Sequence, residues 1–126
     1  INALPKMANL DEPWSLGARY SWIFPNMTFA AGQEAIWVYE ANPITSGRCQ
    51  VRQSICFPKN TIELPDFKEK SQAYYHRLDE ALHEDIAALE NQQKGLHNSP
   101  SLQGQFSTLM EANVATFAQW YANKVI

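Results

Sequence analysis

The sequence predicts an α+β domain in which helices pack on one face of an antiparallel sheet. Two observations lead to this fold class. Segments in which apolar and polar residues alternate, as along a half-buried strand, all lie in the first half of the chain. Segments with the apolar period of an amphipathic helix all lie in the second half. Strands and helices segregated in this way are typical of α+β folds. A length of 126 residues fits one domain at most.

Four strands are predicted after residues 1–17, an irregular lead-in with no clear period. The strands cover Ala18–Phe24, Met27–Ala31, Glu34–Ala41 and Arg48–Phe57. The first has a strongly aromatic face formed by Tyr20, Trp22 and Phe24. The third is apolar on both faces, so we expect it at the centre of the sheet. Asn42–Gly47 is predicted as the loop of the last hairpin.

Two helices are predicted in the second half of the chain. The long one covers residues 66–94, with Asp66 as its N-cap and Gly95 as its C-terminal stop. A loop bracketed by prolines, residues 58–65, precedes it. The shorter helix covers residues 108–123 and has one apolar face. A sheet that curves around the long helix would leave a pocket between them, with the aromatic face of the first strand as its wall.

Composition excludes several classes of protein. The formal charge is −3 and the basic residues are scattered, which argues against a nucleic-acid partner. No apolar stretch is long enough to span a bilayer, and no secretory signal is present, so we expect a cytoplasmic protein. The chain opens on Ile1 rather than Met, which suggests a fragment of a longer protein.

Two cysteines, Cys49 and Cys56, fall on the fourth predicted strand. Seven residues of extended chain would separate them by about 23 Å, too far for a disulfide or for one shared metal. We therefore expect two free thiols, buried or half-buried in the sheet.

The most informative residue is Asp85, a carboxylate within the apolar stripe of the long helix. The stripe consists of Leu78, Leu82, Leu89 and Leu96, which project within a narrow arc at about 100° per residue. Asp85 falls in the same arc, whereas its neighbour Glu84 points toward the polar side. An ionised carboxylate on a core-facing stripe is costly unless it is paired, hydrogen-bonded or bound to a metal.

Spacing alone leaves the partner of Asp85 open. Gln92 lies two turns later on the same side of the helix, so the two could form a structural hydrogen-bonded pair. Alternatively, Asp85 could be a metal ligand supported by the Gln92 amide. A single carboxylate suits a site of mixed histidine and carboxylate ligands, such as non-haem Fe(II). His76 and His83 share the polar face of the helix, remote from Asp85, and are expected to be solvated rather than ligands. The chain contains no complete catalytic constellation.

A set of motifs in this order resembles a known family. The residues that carry the resemblance are Glu84, Asp85, Gln92, Gly95 and Leu96, then a loop with Ser99-Pro100, Gly104, and a helix with Glu111, Phe117 and Trp120. The upstream segment Trp22–Phe29 (WIFPNMTF) matches a strand of the same family. Together they resemble the C-terminal part of the catalytic domain of Rieske-type non-haem iron oxygenase α subunits, over about residues 18–121.

The resemblance implies a fold, a site and partners. The fold is a helix-grip (START/Bet v 1-like) fold, in which a curved antiparallel sheet packs on a long helix. The site is a mononuclear Fe(II) held by two histidines and an aspartate that matches Asp85, with O2 as co-substrate. Electrons come from a Rieske 2Fe-2S cluster, expected in an N-terminal domain outside this chain, and a reductase or ferredoxin donates electrons to that cluster. The products are hydroxylated, dihydroxylated or demethylated organic molecules, and the full-length α subunit is expected to be a homo-oligomer, a trimer.

The chain lacks the motifs for the Rieske cluster and for the two iron-binding histidines, so we expect the isolated fragment to be inactive. The pocket residues implied are Tyr20, Trp22, Phe24, Met27, Leu82 and Leu89. An aromatic wall suits either an aromatic ring or a quaternary amine. The competing hypothesis is a metal-free helix-grip domain that binds a hydrophobic small molecule, with Asp85 paired to the ligand or to Arg52 or Arg19.

Overall fold

The computed structural model describes residues 3–98 and 104–125. The elements are a 3-10 turn at Trp14–Leu16, strands β1 (Arg19–Ile23), β2 (Met27–Ala31), β3 (Ile36–Thr45) and β4 (Arg48–Cys56), and helices α1 (Lys59–Ile62), α2 (Phe67–Asn98) and α3 (Ala112–Val125). The four strands form one antiparallel sheet in the order β1-β2-β3-β4. This arrangement confirms the predicted α+β class, and it is consistent with a helix-grip fold. The chain divides into two compact units, Ile1–Tyr75 and His76–Ile126.

The sheet register follows the alternation in the sequence. Tyr20 pairs with Ala30, Ala30 with Trp37, and Trp37 with Ile55, so these four side chains form a row on one face. The predicted third strand is indeed internal, because β3 has β2 on one side and β4 on the other.

The hairpin between β3 and β4 is longer than the sequence indicated. The predicted loop Asn42–Gly47 is wrong for its first four residues, which continue β3 as far as Thr45. Proline normally ends a central strand because it has no N–H to donate. Beyond Glu40, β2 no longer pairs with β3, so Pro43 lies in a two-stranded ribbon with one open edge. Its missing donor therefore costs no ladder hydrogen bond on that edge.

The proline-bracketed loop contains a helical turn that was not predicted. In α1, the backbone N–H groups of Thr61 and Ile62 both donate to the carbonyl of Pro58, at 2.9 and 3.1 Å. The Thr61 side chain is buried, which fixes the turn against the rest of the N-terminal unit. A single turn is too short to show a helical period, so the sequence pattern could not reveal it.

Helix α2 begins next to the predicted N-cap but does not end at the predicted stop. Asp66 directly precedes the helix, and its carbonyl accepts a hydrogen bond from the Lys70 N–H. Gly95 lies inside the helix, which continues to Asn98. A glycine ends a helix by adopting a left-handed conformation, and Gly95 has no positive φ. The prediction of Gly95 as a stop is therefore wrong. The loop predicted at Ser99-Pro100 lies outside the described residues.

The N-terminal unit is organised around the ring of Phe57, just after β4. Phe57 makes edge-to-face contacts with Phe67, Tyr74 and Tyr75, at centroid distances of 5.1, 5.7 and 6.3 Å. The Tyr74 hydroxyl also accepts a hydrogen bond from the backbone N–H of Leu4, at 3.1 Å. Leu4 is buried although the described part of the lead-in, residues 3–17, has no regular strand or α-helix. The first turns of α2 thus pack on the sheet through an aromatic cluster.

Helix α3 starts later than predicted because residues 107–111 form a capping turn. The Ser107 hydroxyl accepts a hydrogen bond from the Met110 N–H at 3.2 Å, and the Glu111 carboxylate accepts one from the Ser107 N–H at 2.7 Å. This reciprocal pattern satisfies backbone donors at a helix start, in the manner of a capping box. Further along α3, the rings of Phe117 and Trp120 stack at 6.0 Å.

The ion pair at the start of α2 predicts a pH-dependent contribution to stability. The Lys70 ammonium lies 2.7 Å from the Asp66 carboxylate and holds the pKa of Asp66 below its usual 3.8. Since this pKa is lowered in the folded state, the stabilisation is present above 3.8 and is lost as the pH falls through the folded pKa. We expect Asp66→Asn to be less stable than the parent near neutral pH.

The difference should shrink at a strongly acidic pH, as the pH falls below 3.8 and through the lowered folded pKa of Asp66, because the carboxyl group then becomes protonated in the folded state as well. Denaturant unfolding of the parent and of Asp66→Asn at both pH values measures this, with Glu69→Gln as a control for the loss of a nearby carboxylate. A destabilisation by Asp66→Asn of equal size at both pH values would contradict the ion-pair explanation.

Candidate functional site

Asp85 lies near the middle of α2, and its side chain is exposed. The leucine stripe on which Asp85 lies becomes more exposed toward the C-terminal end of the helix. Leu78 is only 4% exposed and Leu82 is half-buried, whereas Leu89 is 58% exposed. The expectation that Asp85 lies on a core-facing stripe is therefore met at the start of the stripe and not at Asp85 itself. An amphipathic pattern fixes the direction of a face but not what covers it.

Among the described residues, no side chain or backbone group donates a hydrogen bond to the Asp85 carboxylate or forms an ion pair with it. The pair with Gln92, one of the two partners suggested by the spacing, is not formed. Seven residues of helix separate the two positions by about 10 Å along the axis, which is beyond comfortable reach of the two side chains. The Asp85 carboxylate is therefore available to a ligand.

The two arginines considered as partners for Asp85 have other contacts inside the N-terminal unit. Arg52 forms a cross-strand pair with Glu40, at 3.8 Å. The Arg19 guanidinium lies 4.9 Å from the ring centroid of Trp14, in a cation–π contact.

The histidines lie where the sequence predicted, on the exposed polar side of α2. His76 Nε2 lies 3.3 Å from Glu80, one turn away. His83 Nδ1 lies 2.7 Å from the backbone carbonyl of Asp79, so a protonated Nδ1 would donate to it. These contacts are local interactions on the helix surface. Neither histidine ring has a hydrogen bond or an ion pair with Asp85.

Across residues 3–98 and 104–125, no three side chains of histidine, cysteine, aspartate or glutamate converge to hold a metal ion. Asp85 can supply one carboxylate oxygen ligand, which suits the carboxylate position of a mixed histidine–carboxylate site. Among the described residues, no histidine lies with Asp85 in such a cluster.

The aromatic residues predicted to line a pocket are only partly brought together. Trp22 and Phe24 form an edge-to-face pair with centroids 5.2 Å apart. Tyr20 lies on the same face of β1 and is 78% exposed. Met27 pairs with Ile23 and therefore projects from the opposite face of the sheet. Met27 cannot share a wall with these three aromatic side chains.

Sequence reasoning missed the role of Asn26, which follows Phe24-Pro25. The Asn26 carbonyl accepts a hydrogen bond from the Ala41 N–H at 2.9 Å, and its side-chain amide donates to the Asn42 side chain at 3.3 Å. These bonds fix the turn after the aromatic strand against β3. The Pro-Asn pair was a turn signal, and a search for its hydrogen-bond partners across the sheet could have found this role.

Both cysteines are free, as predicted, but both are exposed rather than buried or half-buried. They lie near opposite ends of β4, and β4 is the last strand of the sheet, so its residues are less covered than those of β3. The burial prediction was wrong because alternation alone does not distinguish an edge strand from a central one.

With the fold and the position of Asp85 established, comparison with known proteins gives the family. The family model described as "Ring hydroxylating alpha subunit (catalytic domain)" matches residues 2–125. The chain belongs to this family, and the protein class is that of ring-hydroxylating oxygenases, which are oxidoreductases. None of the curated proteins and none of the solved structures compared with the chain matches it.

No helix in the described part of the chain combines the length and the apolar character needed to cross a membrane.

Proposed function

We propose that Asp85 is the carboxylate ligand of a mononuclear Fe(II) in a Rieske-type oxygenase, and that the histidine ligands lie outside residues 1–126. The observation that carries this proposal is the exposed Asp85 carboxylate, which has no partner among the described residues, on the long helix of a chain that matches the family over residues 2–125. Water satisfies an exposed carboxylate, so the missing protein partner leaves the group open to a ligand, and the family match is what supports its role as a metal ligand.

When bound, the iron would activate O2 with electrons from a Rieske 2Fe-2S cluster, so that an organic substrate is hydroxylated, dihydroxylated or demethylated. Asp85 would contribute one anionic oxygen and orient it from a rigid helix. α2 is continuous from Phe67 to Asn98, so the carboxylate is held by a backbone with few alternative conformations. The further partners of the proposed enzyme are a ferredoxin or reductase and other copies of the α subunit.

Gln92 is proposed to orient a group near the metal other than the Asp85 carboxylate. It lies two turns after Asp85 on the same side of α2, with its side chain exposed. From there its amide could hydrogen-bond a second ligand of the metal or a water molecule near it, which would orient that group.

The substrate is proposed to be an organic molecule with an apolar portion. On α2, Leu82 and Leu89 lie one turn before and one turn after Asp85, and neither offers a hydrogen-bond donor. In the N-terminal unit, Tyr20, Trp22 and Phe24 form an aromatic surface that suits a ring by edge contacts or a quaternary ammonium by cation–π attraction.

The isolated chain of residues 1–126 provides a direct test. We expect it to bind no stoichiometric iron and to catalyse no oxidation, because one carboxylate cannot hold Fe(II) tightly. Metal analysis after loading with Fe(II) under anaerobic conditions measures this, with His76→Ala and His83→Ala as comparison variants. Stoichiometric iron that is lost in either histidine variant would place the site on the polar face and overturn the assignment to Asp85.

A further inference from the structure

We draw no further inference here: the strongest candidate, the exposed apolar stripe of α3 formed by Val114, Tyr121 and Val125, carries none because nothing in the part of the chain that the structure describes shows what covers it.

Discussion

Replacing Asp85 with alanine is expected to remove iron from the mononuclear site of the full-length enzyme and to abolish turnover, while the Rieske cluster remains. Loss of a residue that only supports a metal ligand typically costs 10- to 100-fold in metal affinity or activity. Loss of the ligand itself should exceed that, so we expect turnover to fall by more than about 100-fold. Metal analysis, the visible spectrum of the Rieske cluster and product formation measure the three quantities separately.

Glu84→Ala is the matched control for this experiment. Glu84 is an exposed carboxylate one residue away on the same helix, and it points about 100° away from Asp85. We expect it to keep both iron and turnover. Retained turnover in Asp85→Ala would contradict the assignment of Asp85 as the iron ligand. Equal losses of iron and turnover in Asp85→Ala and Glu84→Ala would show that removal of a negative charge from the helix, and not loss of an iron ligand, causes the effect.

Phe57→Ala is expected to cause the largest loss of stability in the N-terminal unit. The ring of Phe57 contacts three aromatic residues of α2, namely Phe67, Tyr74 and Tyr75. Truncation of a core Phe to Ala costs about 3–5 kcal/mol, and because Phe57 is half-buried we expect about 2–4 kcal/mol. The free energy of unfolding by urea, followed by near-ultraviolet circular dichroism of these aromatic residues, measures the change.

Two comparison variants define what the Phe57 result means. Phe57→Leu keeps most of the apolar volume and should cost less, about 1–2 kcal/mol. Tyr20→Ala removes an aromatic ring that is 78% exposed and should change stability by no more than about 0.5 kcal/mol. A Phe57→Ala effect no larger than that of Tyr20→Ala would show that the aromatic cluster does not hold the first turns of α2 on the sheet.

The strands were predictable because their signal is local. The alternation around Tyr20 and Trp22 and the apolar run of β3 each identify a strand without reference to the rest of the chain. The errors occurred where a distant partner decided the outcome. Pro43 continues a strand because β2 has already ended, and the α1 turn is fixed by the burial of Thr61.

For the candidate site, the sequence predicted the positions of the residues on the helix but not their contacts. Helical spacing placed Asp85 among leucines and placed His76 and His83 on another face, and both positions on α2 agree with the structure. The spacing could not show that the Asp85–Gln92 pair is not formed, because a hydrogen bond depends on reach as well as on direction. Nor could it place Met27 on the other face of the sheet from Trp22, since this depends on strand register.

The sequence by itself determined the α+β class, the family resemblance and the position of Asp85 on a long helix, because each depends on residue type and on spacing along the chain. Only the tertiary structure decided that the Asp85 carboxylate is exposed and has no partner among the described residues. It also decided that the leucine stripe is buried at Leu78 and half-buried at Leu82 but exposed at Leu89. Burial and pairing depend on which residues meet in space, and a one-dimensional pattern fixes only the direction in which a side chain points.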